Sequence, residues 1–171
     1  MNRINISIII LITVLTSCSD FEKKGKPLFK NLNTLYSLSL TKCNTTQKVW
    51  STAIYDKEYA LSTSENYEVR YVSDFNEAVY RMEQEPAIKD INKKIDSLST
   101  VVTKDVEAIS DKKNESYDKL ISLYTNVIEL SKTAKSPSGN LQSFGNEVNQ
   151  KESQINLLIT EIKARNPGFK E

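Results

Sequence analysis

The segment from Pro86 to Ile109, PAIKDINKKIDSLSTVVTKDVEAI, carries the most regular hydrophobic pattern in this chain of 171 residues. Its apolar residues alternate between steps of three and four positions, with Asp105 as the one interruption: Ile88, Ile91, Ile95, Leu98, Val102 and Ile109. A hydrophobic repeat of roughly 3.5 residues is typical of the seam of a coiled coil or helical bundle. The segment therefore predicts an amphipathic helix that packs against other helices.

The pattern stops at residues 111–115 (DKKNE) and resumes one residue out of register as Tyr117, Leu120, Tyr124, Val127 and Ser131. A single straight helix would rotate its apolar stripe at that skip, so we predict a tight turn between two antiparallel helices. Residues 136–139 (SPSG) predict a second turn. The final helix carries Leu141, Phe144, Val148, Ile155, Leu158 and Ile162, and Asn166-Pro167-Gly168 is expected to end it.

Upstream of the segment, helical spacing of apolar residues predicts a long first helix from Pro27 to Leu61, in which residues 44–46 (NTT) allow a break because they are poor helix formers. Residues 62–73 contain an alternating Tyr67, Val69 and Tyr71, but a lone strand has no partner, so we interpret them as a loop. Ser73 or Asp74 is then expected to cap a short helix that ends before Pro86, and Asp74 and Glu77 have the spacing of a capping box.

These elements predict an all-α protein, an up-and-down bundle of four main helices and one short helix. The bundle domain is expected to span residues 28–166, followed by a tail at 167–171. Most glycines and prolines stand at the predicted boundaries. Gly145 is the exception: it either lets another helix approach closely or costs about 1 kcal/mol relative to alanine.

The N-terminal residues have the features of a secretory signal. Arg3 is the only charge before an apolar run from Ile4 to Leu15, and small residues follow that run. The run is shorter than the about 20 apolar residues that a transmembrane helix needs, and polar residues interrupt it. We therefore predict that residues 1–17 are a signal peptide.

Leu15-Thr16-Ser17-Cys18 resembles the lipobox of bacterial lipoproteins. The resemblance implies lipidation of Cys18, which would become the first residue of the mature chain and hold the protein on a membrane outside the cytoplasm. Residues 18–27 are then expected to form a lipidated, flexible tether. Ser19 favours the outer membrane or the cell surface, provided that the organism has an outer membrane. The alternative is a soluble exported protein with a chance cysteine.

Charge and cysteine content restrict the class of partner. The chain has 23 basic and 22 acidic residues, and removal of residues 1–17 with Arg3 leaves a balanced mature chain. This balance argues against nucleic acid or anionic lipid as the main partner. Once Cys18 is modified, Cys43 is the only thiol left, so no internal disulfide can form. Cys43 lies on an apolar stripe and is interpreted as a core residue, with an intermolecular disulfide as the alternative.

The chain has no histidine, which excludes Ser-His-Asp and Cys-His nucleophilic systems and the usual zinc and di-iron sites. No glycine-rich phosphate loop or calcium loop occurs. The remaining acidic candidates lie near a helix start and a proline junction, where capping explains them: Asp74, Glu77, Glu83, Glu85 and Asp90. We therefore predict a protein that is not an enzyme, with no catalytic residue, metal or cofactor.

The region from Val49 to Val72 is the most aromatic part of the chain. Trp50 is interpreted as a core residue, whereas Tyr67 and Tyr71 lie in the predicted loop. Aromatic side chains are enriched in protein interfaces, because they bury a large area and keep a polar tip free. Tyr67 and Tyr71 are therefore the candidates for contact with a protein partner.

Residues 49–55 (VWSTAIY), 74–78 (DFNEA) and 136–144 (SPSGNLQSF) resemble segments of small, uncharacterised helical proteins of bacteria and their prophages. That resemblance implies a helical fold and assigns no residue roles. The functional prediction is a lipid-anchored, non-catalytic cell-envelope protein that acts through protein contacts. The alternatives are an envelope module that binds a small apolar ligand between helices, and a prophage-encoded lipoprotein that excludes incoming phage.

Overall fold

A computed structural model describes residues 4–59, 70–72, 74–110 and 112–169, with side chains from Phe21 onward except those of Tyr59 and Arg70. The helices are α1 (Ile4–Tyr55), α2 (Phe75–Gln84), α3 (Pro86–Ala108), α4 (Tyr117–Lys135) and α5 (Leu141–Arg165). Two short strands, β1 (Glu58–Tyr59) and β2 (Arg70–Tyr71), and a 3-10 helix, Pro167–Phe169, complete the described chain. No described helix is both long and apolar enough to cross a membrane.

The four long helices α1, α3, α4 and α5 form an up-and-down bundle, which confirms the predicted all-α class. Side-chain hydrogen bonds between helices give their directions. Asn31 and Lys42 of α1 bond to Asp105 and Asn92 of α3, so α3 runs antiparallel to α1. Helices α1 and α4 pack directly against each other, and α3 and α5 flank this pair.

The two ends of the bundle differ in what they contain. One end contains Phe21, the α3–α4 turn and the 3-10 helix. We call it the proximal end, because Phe21 is close in sequence to Cys18. The opposite end, with the end of α1, the strands β1 and β2, helix α2 and the α4–α5 turn, is the distal end. Helix α1 thus runs from the proximal end to the distal end.

The predicted apolar stripes form the core. The fully buried positions on α3, α4 and α5, and at the residue that follows α3, include most of the residues at the predicted heptad spacing: Ile88, Ile95, Val102, Ile109, Leu120, Val127, Phe144, Val148, Ile155 and Ile162. The remaining stripe residues, such as Ile91, Leu98 and Leu158, are partly buried and pack against that core. Burial of such side chains is the main force that holds the helices together.

Both predicted turns are confirmed. Helix α3 ends before residues 112–116, where the side chain of Asn114 accepts a hydrogen bond from the backbone of Ser116 at 2.9 Å. Helix α5 begins after residues 136–140 with a reciprocal capping box between Asn140 and Ser143. Gly139 has a φ of 86°, a conformation that glycine adopts without a steric penalty.

Helix α1 differs from the prediction at both ends. It continues through Pro27 instead of beginning there, and it ends at Tyr55 instead of Leu61. It is unbroken at residues 44–46, where the sequence allowed a break. The threonine hydroxyls do not compete with the helix, because Thr45 and Thr46 donate to the carbonyl oxygens four residues earlier, at 2.9 and 3.0 Å. Tertiary packing of both faces of α1 therefore overrides weak local propensity.

The expected flexible tether at residues 18–27 was wrong for residues 21–27, which belong to α1. The physical reason is Phe21, which is only 1% exposed and stacks on Phe169 with ring centroids 6.1 Å apart. The expected tail at 167–171 was likewise wrong at residues 167–169. These residues form the 3-10 helix, and Phe169 is buried. The bundle therefore begins close to Cys18 in sequence.

The interpretation of residues 62–73 as loop was wrong at residues 70–71. Strand β2 pairs antiparallel with β1, with Glu58 opposite Tyr71 and Tyr59 opposite Arg70. The missing partner was the segment just after α1, which the prediction had assigned to the first helix. Residues 60–69, including Tyr67, lie outside the described part of the chain.

Candidate functional site

The distal end exposes a group of large apolar and aromatic side chains. We call this group the distal surface; it consists of Ile54, Tyr55, Tyr71 and Tyr80, which are 42, 75, 71 and 67% exposed. An isolated exposed apolar side chain is ordinary, whereas several at one end of a molecule are typical of a binding surface. Phenol groups offer both an apolar ring and a hydrogen-bonding hydroxyl to a partner.

The backbone around the end of α1 positions two of these tyrosines. Ala53 is buried at the last turn of α1, so Tyr55 projects away from the core. Val72 is 1% exposed, and its backbone N–H donates to the carbonyl oxygen of Lys57 at 3.1 Å. Because side chains alternate along a strand, the buried Val72 directs its neighbour Tyr71 to solvent.

Helix α2 positions the third tyrosine. The carboxylate of Asp74 caps the helix by accepting from the backbone N–H of Glu77 at 2.9 Å, as predicted. Ala78 and Met82, four residues apart, are buried against α1, so Tyr80 lies on the opposite, solvent-facing side. The distal surface thus combines residues from α1, β2 and α2.

The structure gives different outcomes for the predicted site residues. Tyr71 is exposed, as a partner contact must be, whereas Tyr67 and the side chain of Cys18 lie outside the described residues. Trp50 is in the core, where its ring meets Phe75 and Phe144 edge-on at 5.8 and 5.2 Å. The sequence did not identify Tyr55 and Tyr80 as surface residues. The spacing of apolar residues along a helix does not show which end of the bundle the other elements leave exposed.

Cys43 is fully buried and is a free thiol, which confirms its interpretation as a core residue. Burial raises the pKa of the Cys43 thiol to about 12, and Glu147 adds to the increase while Lys42 opposes it. A thiol in this state is a poor nucleophile, because the thiolate is the reactive form.

Four of the five acidic candidates have a structural partner described below, and the fifth, Glu85, is the residue between α2 and α3. Asp74 caps α2, Glu77 pairs with Arg81 one turn later, and Asp90 pairs with Lys94 at 2.7 Å on the surface of α3. Glu83 is partly exposed and pairs with the buried Lys42. Among the described residues, no group of three or more metal-ligating side chains comes together.

Glu83 belongs to a buried polar network that sequence reasoning missed. The ammonium group of Lys42 has no exposed area and lies 2.8 Å from Oε1 of Glu83 and 2.6 Å from Oδ1 of Asn92. Asn92 in turn donates to Oε2 of Glu83 at 2.9 Å. The network connects α1, α2 and α3. A lysine beside Cys43 on the buried stripe of α1 was the available sequence signal.

Comparisons with known proteins give no relative to which these features can be referred. No family model, no curated protein and no solved structure matches the chain.

Proposed function

We propose that the protein is a non-catalytic cell-envelope protein, anchored to a membrane through a lipid on Cys18, that binds a protein partner with its distal surface. The observation that carries this proposal is the position of the tyrosine-rich surface at the end of the bundle opposite to the N-terminal side. An anchored protein is expected to direct its binding surface away from the bilayer.

Helix α1 supports this arrangement because it joins both ends. It is continuous from Phe21, three residues after Cys18, to Tyr55 in the distal surface. At a rise of about 1.5 Å per residue, this part of the helix spans about 50 Å. A partner at the distal surface would therefore be held at a fixed distance from the membrane.

The partner contact can be tested by capture from the native cell envelope. The combined variant Tyr55→Ala, Tyr71→Ala and Tyr80→Ala should lose the partner that the unmodified chain retains, because aromatic side chains supply much of the energy of interfaces. Leu157→Ala is the matched control, since Leu157 is 60% exposed on α5 and lies outside the distal surface. Equal capture by both variants would contradict the proposal.

The anchor is tested separately by metabolic labelling with palmitate. Cys18→Ala should abolish labelling, whereas Cys43→Ala should leave it unchanged, because the Cys43 thiol is buried. A Cys18→Ala protein that still labels with palmitate would show that the lipid is attached elsewhere.

A further inference from the structure

The proximal end contains an open groove of about 660 Å³ between the start of α1 and the end of α5. The rings of Phe29 and Phe169, with Pro27, form its apolar floor. Cavities of this volume accommodate small molecules or parts of lipids. The groove lies near Phe21 in sequence and space, at the end of the bundle next to Cys18.

The rim of the groove is strongly basic. Lys23, Lys26 and Lys30 follow one face of α1 at intervals of three and four residues, and Lys163 faces them from α5. The ammonium group of Lys163 lies 6.0 Å from the ring centre of Phe29. Among the residues with described side chains, Glu22 is the only acidic one that lines the groove.

The groove residues Lys23, Lys26 and Lys30 make no ion pair with another described residue, so their charges are available to an external anion. The balanced net charge of the chain hides this local separation of charge. An apolar floor under a basic rim is complementary to an anionic headgroup with the first carbons of its chain.

We propose that the proximal groove is a docking surface for the headgroups of anionic phospholipids. The lysines contact lipid phosphates, and the apolar floor faces the upper part of the acyl region. Membrane attachment then has two components, of which Cys18 is one and the groove the other. This inference rests on the proposed function only for its location, because the proposed lipid on Cys18 brings the proximal end to a bilayer.

The test uses the full chain with Cys18→Ala, which has no cysteine at position 18 to carry a lipid. Binding to vesicles is measured by flotation. Vesicles of phosphatidylcholine alone are compared with vesicles that also contain phosphatidylglycerol. Lys23→Gln, Lys26→Gln and Lys30→Gln together should lower the partition coefficient on anionic vesicles roughly a hundredfold, since each lysine near a membrane surface contributes about fivefold. Binding to neutral vesicles should remain unchanged, because it does not depend on the lysine charges.

The control variant carries the same charge change at three exposed lysines toward the distal end, Lys48→Gln, Lys89→Gln and Lys93→Gln. It should retain the preference for anionic vesicles. If the control loses as much binding as the groove variant, or if neither loses any, the groove is not the docking surface.

A fluorescent label reports the position of contact independently of the leader. Cys43 is buried, so in the Cys18→Ala chain an introduced cysteine is the only accessible thiol. An environment-sensitive dye on Asn33→Cys in the groove should shift to the blue with anionic vesicles, whereas the same dye on Asn76→Cys at the distal end should not. Equal shifts at both sites would overturn the proposal. Both vesicle experiments use the Cys18→Ala chain, so their results do not depend on whether Cys18 of the parent protein is labelled with palmitate.

Discussion

The Lys42 ammonium group is completely buried, and its ionic partner Glu83, 2.8 Å away, is 27% exposed. The two charges therefore differ in what happens when the other is removed. A buried ammonium group without its partner loses hydration and receives no compensating charge, whereas a partly exposed carboxylate can still bind water. The pair holds the short helix α2 against the centre of α1.

Glu83→Gln should destabilise the protein more than Lys42→Met does. We expect a loss of about 3 kcal/mol for Glu83→Gln, because it leaves the Lys42 charge unpaired in the core, and about 1 kcal/mol or less for Lys42→Met. The double variant should recover most of the loss. Urea denaturation gives the free energies of unfolding, and Asp90→Asn in the exposed pair with Lys94 is the control, with an effect of less than about 1 kcal/mol. Equal losses for the two single variants would contradict this asymmetry.

Two helical glycines should respond differently to alanine. At Gly145 an added Cβ atom would lie 3.9 Å from the side chain of Gln47, an ordinary contact, so Gly145→Ala should stabilise the protein by about 0.5–1 kcal/mol through helix propensity. At Gly25 the Cβ atom would approach Cζ of Phe169 to 3.1 Å, and the packed ring would have to move. Gly25→Ala should therefore gain nothing or lose stability. Thermal unfolding of both variants tests this difference, and an equal gain at Gly25 would show that the ring adapts freely.

The buried thiol of Cys43 should make stability depend on alkaline pH. Its pKa rises from an ordinary value of 9.0 to about 12 because of burial. Between these values the unfolded chain loses the thiol proton while the folded chain keeps it, so this contribution to stability is complete below pH 9 and is lost as the pH rises toward 12. The difference in unfolding free energy between the parent and Cys43→Ala should therefore be smaller above pH 9 than below it. A constant difference across this range would exclude the thiol as the cause.

Much of the fold could be predicted from the sequence because its regular apolar stripes coincide with burial. The heptad positions of Ile95, Val102 and Ile155 define the core, and the turns at residues 112–116 and 136–140 follow from the loss of pattern and from turn residues. Local signals of this kind are sufficient where each helix has one apolar face.

The sequence was insufficient where tertiary contacts decide the structure. Pro27 marked a helix start by local rules, but the packing of Phe21 on Phe169, which are far apart in sequence, extends the helix beyond it. The pairing of β2 with β1 likewise depends on where α1 ends. The distal surface includes Tyr55 and Tyr80 because no described element covers them, and a pattern along one helix carries no information on such coverage.

The contact between Phe21 and Phe169 should determine how firmly the start of the bundle is held. Phe169 is 2% exposed and packs on both Phe21 and Phe29, so Phe169→Ala should lower the free energy of unfolding by about 3 kcal/mol. Because the ring lies at the proximal end, amide hydrogen exchange should accelerate more at residues 21–28 than at residues 42–50. Leu157→Ala, on the exposed face of α5, should change neither quantity. If amide exchange accelerated equally along all of α1, Phe169 would stabilise the bundle as a whole. The start of α1 would then not depend on this ring more than the rest of the helix does.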